Sequence, residues 1–113
     1  MIVERIEKCR IIPVIALQDA QDAVPLCRAL KAGGLETAEI TFRTAAAKEA
    51  LQIVANDFPE FALGAGTVTT SEELEAAAAA GAKFAVAPGL NPRIVKQAQD
   101  IGGQIAPFTG SAD

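Results

Sequence analysis

Glu39, Thr41 and Arg43 alternate with Ile40 and Phe42 in the stretch Ala38-Glu39-Ile40-Thr41-Phe42-Arg43. A β-strand points successive side chains to opposite faces, so a carboxylate, a hydroxyl and a guanidinium share one side and two apolar groups share the other. Guanidinium binds a carboxylate bidentately, and a glutamate whose pKa burial has raised can carry protons near neutral pH. The chemistry on offer is capture of a small acid and proton transfer to or from it. The stretch lies between two helical patterns, which is where a strand is covered on both faces. Charges in an enclosed space must be paired or functional. The alternative for this stretch is a Glu–Arg pair on a solvated edge strand, which contributes little.

Composition narrows the partners. The chain has 113 residues, half of them hydrophobic, and a net charge of −4, enough apolar material for one domain spanning 1–113. Charge is mixed along the chain with no basic cluster, and Trp and Tyr are absent, which disfavours nucleic acid. No apolar run is long enough to span a bilayer, and the mixed Val3-Glu4-Arg5-Ile6-Glu7-Lys8 is not a signal-peptide core. Cys9 and Cys27 form no CxxC and read as reduced thiols, so the expected location is the cytoplasm. The chain has no histidine, which removes His-based triads and the commonest metal ligand. No metal or cofactor is expected, and acid–base work falls to Glu, Asp, Lys or water.

The elements that must position these groups alternate regularly. Residues 2–9 read as a short helix, and the β-branched apolar run 11–17 as a buried strand. Asp19 starts a helix with Ala23, Cys27 and Leu30 inward, Pro25 makes its first turn irregular, and Gly33-Gly34 stops it. The strand at 37–43 follows, then a helix over 45–56 with Leu51, Val54, Ala55 and Phe58 inward. A third strand covers 61–68. Thr70-Ser71-Glu72-Glu73 has capping-box spacing and opens an alanine-rich helix that Gly81 closes. A fourth strand covers 83–88, Asn91 and Pro92 suit the start of a helix that Gly102-Gly103 stops, and a fifth strand begins at 104–107. The last residues, 108–113, show no pattern. Strands alternating with helices over short connections imply an α/β fold with a parallel sheet. Both an open doubly wound sheet and a (β/α) barrel fit, but about five strands cannot close an eight-stranded barrel.

In such folds function gathers at the C-terminal ends of strands. There the chain shows Thr41-Phe42-Arg43-Thr44, Gly64-Ala65-Gly66-Thr67-Val68-Thr69, Ala87-Pro88-Gly89-Leu90 and Pro107. Alternation puts Leu63, Ala65 and Thr67 on one face. If that face is the inward one, the Thr67 hydroxyl joins Glu39 and Arg43, and Arg43 with Thr67 makes a carboxylate clamp. Gly64-Ala65-Gly66 does not complete a dinucleotide fingerprint, because Thr69 stands where a third glycine or alanine belongs and no acidic residue follows the next strand. The glycines fit tight strand–helix packing equally well, and Pro88-Gly89 fits a plain turn.

Ile12-Pro13-Val14-Ile15, Ala23-Val24-Pro25, Ala32-Gly33-Gly34, Glu39-Ile40-Thr41-Phe42-Arg43, Gly64-Ala65-Gly66-Thr67-Val68 and Ala87-Pro88-Gly89-Leu90 occur in this order. Together, over roughly residues 10–107, they resemble the 2-keto-3-deoxy-6-phosphogluconate (KDPG) / 4-hydroxy-2-oxoglutarate (KHG) aldolase family. The resemblance implies a (β/α)8 TIM-type barrel, usually a homotrimer. It implies a class I aldolase that cleaves its substrate to pyruvate and an aldehyde through a lysine Schiff base. It makes Glu39 the acid–base residue, Arg43 and Thr67 the holders of the pyruvate carboxylate, and Pro88 a lining residue of the pocket.

The resemblance has gaps. The family's Schiff-base lysine belongs on a sixth strand, beyond residue 113, and none of Lys8, Lys31, Lys48, Lys83 or Lys96 reads as an inward residue at a strand's C-terminal end. The phosphate-binding glycines of later strands are missing, and Pro107-Phe108-Thr109-Gly110 departs from the family's Pro-Gly pattern. The expectations are therefore an aldolase chain without its nucleophile, a half-barrel module that associates with itself, or a binder of small keto acids. An open parallel sheet with bare edges favours a homo-oligomer.

Overall fold

The computed structural model describes residues 2–101 and 105–109. The proposed stop at Gly102-Gly103, the start of the fifth strand at Gln104 and the end of the tail lie outside the described residues. Helix α1 (Ile2–Cys9) leads into β1 (Val14–Ile15), and a single 3-10 turn (Ala20–Asp22) runs into α2 (Ala23–Ala32). Then come β2 (Thr37–Thr41), α3 (Ala47–Asp57), β3 (Ala62–Gly66), α4 (Ser71–Ala80), β4 (Phe84–Ala87), α5 (Pro92–Asp100) and β5 (Ala106–Thr109).

Helix boundaries follow local chemistry. The Asp19 carboxylate accepts from the Gln21 N–H and opens the 3-10 turn. Pro25 then falls in the first turn of α2, where its missing N–H would have had no helical partner. Thr70 and Glu73 cap α4 reciprocally, a device worth about 1 kcal/mol. Asn91 accepts from the Arg93 N–H, with Pro92 in the first turn of α5. Gly81 ends α4 with a φ of 105°, a left-handed conformation open to glycine.

The five strands are parallel and lie in the order β1-β2-β3-β4-β5. A doubly wound sheet reverses its strand order at a switch point; this one never does. The four helices α2 to α5 all pack on one face. There Ala23, Cys27, Leu51, Val54, Leu74, Ala77 and Ala98 bury against Ala38, Ile40, Leu63, Ala65 and Ala85 of the sheet. One-directional order with helices on one side is the TIM-barrel type, of which the chain covers part. The face away from the helices, here called the inner face, carries Thr37, Glu39, Gly64, Gly66 and Phe84, as the strand pairing dictates.

Strands β2, β3 and β4 are each shorter than expected, and β1 and β5 differ most. The run 11–17 yields only the two-residue β1, with Ile11 and Val14 well exposed. Val14 pairs in register with Glu39 and so lies on the open inner face, Ile11 precedes the strand, and among the described residues β1 pairs only with β2. Conversely β5 runs through Phe108 and Thr109, which the sequence left without a pattern. Phe108 pairs in register with Val86, and its ring meets Phe84 edge-on with centroids 5.8 Å apart. At the N-terminal end of the sheet, the Arg5 guanidinium of α1 donates to the Glu60 carbonyl just before β3.

Candidate active site

Glu39 stands in the middle of β2, where its N–H donates to the Pro13 carbonyl at 2.9 Å. Its side chain lies on the inner face and is half-buried. Register places it beside Gly64, but the seat over Gly64 is taken: a Cβ there would fall 2.1 Å from the Phe84 ring. The Glu39 carboxylate lies instead over Gly66, its Oε2 2.3 Å from where a Cβ would stand. Burial pushes the Glu39 carboxyl above the ordinary glutamate range, and the attraction of the Arg43 guanidinium opposes this.

The other candidate residues sit just past strand ends. Strand β2 stops at Thr41, so Arg43 lies in the following turn and its direction is not set by the pleat. It is exposed. Among the described residues the ion pairs are Lys31–Glu60 and Lys96–Asp100, so Arg43 acts on Glu39 through space without touching it. Thr41 is buried and its hydroxyl donates to the Ile15 carbonyl at 3.3 Å, while Thr44 donates to the Leu17 carbonyl at 2.5 Å. Both hydroxyls tie the end of β2 to the β1 region and have backbone partners.

Thr67 follows β3 directly and has a φ of 56°. A β-branched residue in the left-handed region is an outlier that costs on the order of 1–3 kcal/mol. Two hydrogen bonds hold it there: Phe42 N–H donates to the Gly66 carbonyl at 2.8 Å, and Val68 N–H donates to the Val86 carbonyl at 3.0 Å. The condition that Leu63, Ala65 and Thr67 face inward is not met. Leu63 and Ala65 pack into the helix-side core, whereas Gly64 and Gly66 face Glu39. The kink at Thr67 sends Val68 back to that core. Thr67 therefore does not share a face with Ala65 through the pleat, and what sets its position is the kink.

Pro88 is exposed just beyond β4. It lines a cavity of about 270 Å³ with Val68, Leu74, Ile94, Val95 and Phe108, bordered by β4, β5 and α5. Glu39, Arg43 and Thr67 are not among that cavity's walls. The structure thus brings Glu39 and Arg43 into one electrostatic neighbourhood, with Thr67 next to the glycine beneath the carboxylate, and sets Pro88 against a separate cavity. Gly64, Gly66 and Phe84 shape the seat of the Glu39 side chain, which the motif reading did not foresee. Their signal was the two-residue spacing of the glycines, which clears one face of a strand.

The lysines lie elsewhere. Lys83 precedes β4 and donates to the Pro59 carbonyl at 3.2 Å, at the N-terminal end of the sheet. Lys31 pairs with Glu60 and Lys96 with Asp100 on outer surfaces. Lys8 lies on α1, and Lys48 is exposed on the first turn of α3. Among the described residues no three His, Cys, Asp or Glu side chains come together as a metal site.

Comparison with known proteins agrees with this architecture. The family model for KDPG and KHG aldolase matches residues 2–111. A 2-dehydro-3-deoxy-phosphogluconate aldolase of Treponema pallidum is 47% identical over 111 residues, covering 98% of this chain and 53% of that protein. One from Haemophilus influenzae is 46% identical over 106 residues, covering 94% and 50%. A solved KDPG aldolase from Legionella pneumophila, with pyruvate captured at low pH as a covalent carbinolamine, superposes with a TM-score of 0.83 at 40% identity, covering 90% of this chain and 48% of that one. The chain spans about half the length of the curated relatives it matches.

Proposed function

This chain belongs to the KDPG and KHG aldolase family, and on that premise we propose that it carries the pyruvate-handling half of a class I aldolase site. The reaction is the reversible cleavage of 2-keto-3-deoxy-6-phosphogluconate or 4-hydroxy-2-oxoglutarate to pyruvate and an aldehyde. Glu39 is the acid–base group and Arg43 and Thr67 hold the pyruvate carboxylate, while Pro88, which lines a separate cavity in this chain, is given no part in holding it. The observation that supports this is the Glu39 carboxyl, half-buried over a glycine at the C-terminal side of the sheet with a guanidinium in reach of its field.

In this chemistry a lysine imine draws electrons from the bond being broken, and a nearby base takes or returns a proton at the methyl carbon of the pyruvyl group. Burial raises the Glu39 pKa above its ordinary value, which makes the carboxylate a stronger base than an exposed glutamate and favours its role in taking up a proton. The Arg43 guanidinium fixes the carboxylate end of the keto acid. The nucleophilic lysine is not supplied by residues 1–113, whose five lysines lie on outer helices or at the opposite end of the sheet. The position of those lysines supports a second reading, in which the isolated chain binds keto acids without cleaving them, alone or as a self-associated half-barrel.

Titration with pyruvate, followed by NMR shifts of residues around Glu39, tests the site. Saturable binding that Arg43→Ala removes is expected. Binding unaffected by Arg43→Ala would remove the guanidinium from the role given to it.

A further inference from the structure

Strand β3 presents two glycines to the inner face, and each lies beneath a side chain from a neighbouring strand. The Phe84 ring of β4 covers Gly64, with its nearest carbons 2.1, 2.2 and 2.5 Å from a Cβ there. Glu39 of β2 covers Gly66, with Oε2, Cδ and Cγ at 2.3, 2.9 and 3.0 Å. Neither glycine is required by its backbone, since the positive-φ glycines among the described residues are Gly34 and Gly81. A glycine in a strand without positive φ weakens it unless something approaches closely. At Gly66 what approaches is a carboxylate.

We propose that Gly66 is a positioning residue for Glu39: its bare backbone, with Phe84 walling off the seat over Gly64, aims the carboxylate toward the C-terminal end of the sheet. Register alone would lay the Glu39 side chain beside Gly64. The ring blocks that seat, and the opening over Gly66 lies one pleat repeat closer to Arg43 and Thr67. The seat also explains the partial burial of the carboxyl, because its atoms rest on the backbone of β3. The functional role given to Gly66 rests on the reading of Glu39 as the proton-transfer group.

Gly66→Ala puts a methyl 2.3 Å from Oε2, closer than the two can stand. Oε2 ends a flexible side chain, so the expected response is displacement of the carboxylate into more open space with the fold retained. Two measurements test this. Carboxyl-carbon NMR titration should show the Glu39 pKa in Gly66→Ala falling back toward the ordinary glutamate value. A thermal double-mutant cycle should show coupling between the two positions: the Tm change caused by Gly66→Ala with Glu39 present should differ from its change in the Glu39→Ala background. If Gly66→Ala alone does not fold, the Glu39→Ala/Gly66→Ala double variant should. An unchanged Glu39 titration in a folded Gly66→Ala protein, or an equal Tm change in both backgrounds, would overturn the proposal. So would a double variant that does not fold. Neither readout uses catalysis, so both results stand or fall independently of the acid–base role of Glu39.

Discussion

The Glu39 carboxylate occupies the space that a side chain on residue 66 would fill, with Oε2 2.3 Å from the position of the missing Cβ. Because residues 39 and 66 lie on adjacent parallel strands, this contact binds the candidate acid–base group to the strand that ends at Thr67. The chemistry of the site and the packing of the sheet are therefore the same feature, and several measurable properties follow from it.

The first concerns pH. The folded pKa of Glu39 is raised, chiefly by burial. The native state then holds a proton that the unfolded chain has released. Its contribution to stability is fully present below the unfolded glutamate value, about 4.3, and is lost as pH rises through the higher folded value. Glu39→Gln, which cannot ionise, should raise Tm near pH 7 and make little difference below about pH 4. Thermal melts across this range check it; a gain at both ends of the range would contradict burial of the charge as the cause.

The second concerns Arg43. Its field lowers the Glu39 pKa against the effect of burial. Arg43→Ala should push the Glu39 carboxyl further up and weaken pyruvate binding at least about tenfold, the order of one charge-assisted carboxylate contact. Arg43→Lys should restore part of the pKa effect but not the bidentate hold. A titration of Glu39 unmoved in Arg43→Ala would show the two groups to be independent.

Thr67 offers a test of stored strain. Its φ of 56° is one a glycine adopts freely. Thr67→Gly should raise stability by about 1 kcal/mol, the relieved strain less the greater entropy of the unfolded glycine, while weakening pyruvate binding through loss of the hydroxyl. Denaturant melts with parallel binding titrations read both. A loss of stability would mean that the hydroxyl or methyl of Thr67 makes contacts that outweigh its backbone.

Cys27 is buried in the core of α2, and burial pushes its thiol up to about 11. The thiolate is the reactive form. A thiol reagent at pH 8 should leave Cys27 unlabelled in the folded protein and label it on unfolding, read by peptide mass. Rapid labelling under native conditions would mean that α2 opens far more readily than its packing implies.

Much of this was legible in the sequence because each element is punctuated. Asp19, Thr70 with Glu73, Asn91-Pro92, Gly33 and Gly81 start and stop helices for local reasons, and local chemistry can be read residue by residue. Which face of β3 points inward could not be read that way. Ala65 is nearly as small as its glycine neighbours, and only the register with β2 decides that Gly64 and Gly66 meet Glu39. The turn that carries Arg43 and the left-handed Thr67 are likewise set by hydrogen bonds between strands, such as Phe42 to Gly66. Apolar character misled at β1, where Ile11 and Val14 lie exposed at the edge of the sheet. It was silent at Phe108, whose partner Phe84 comes from the neighbouring strand.

The central claim is that this chain holds the acid–base and carboxylate-binding half of an aldolase site without the nucleophile. Borohydride reduction in the presence of pyruvate, read by intact mass, tests it most directly. The Legionella pneumophila aldolase, whose structure holds pyruvate as a covalent carbinolamine, serves as the control that should gain a stable adduct. For the 113-residue chain the account predicts an unchanged mass alongside Arg43-dependent pyruvate binding. One pyruvyl group fixed to Lys8, Lys31, Lys48, Lys83 or Lys96 would contradict it, and would place a Schiff-base lysine on a surface that the fold turns away from Glu39.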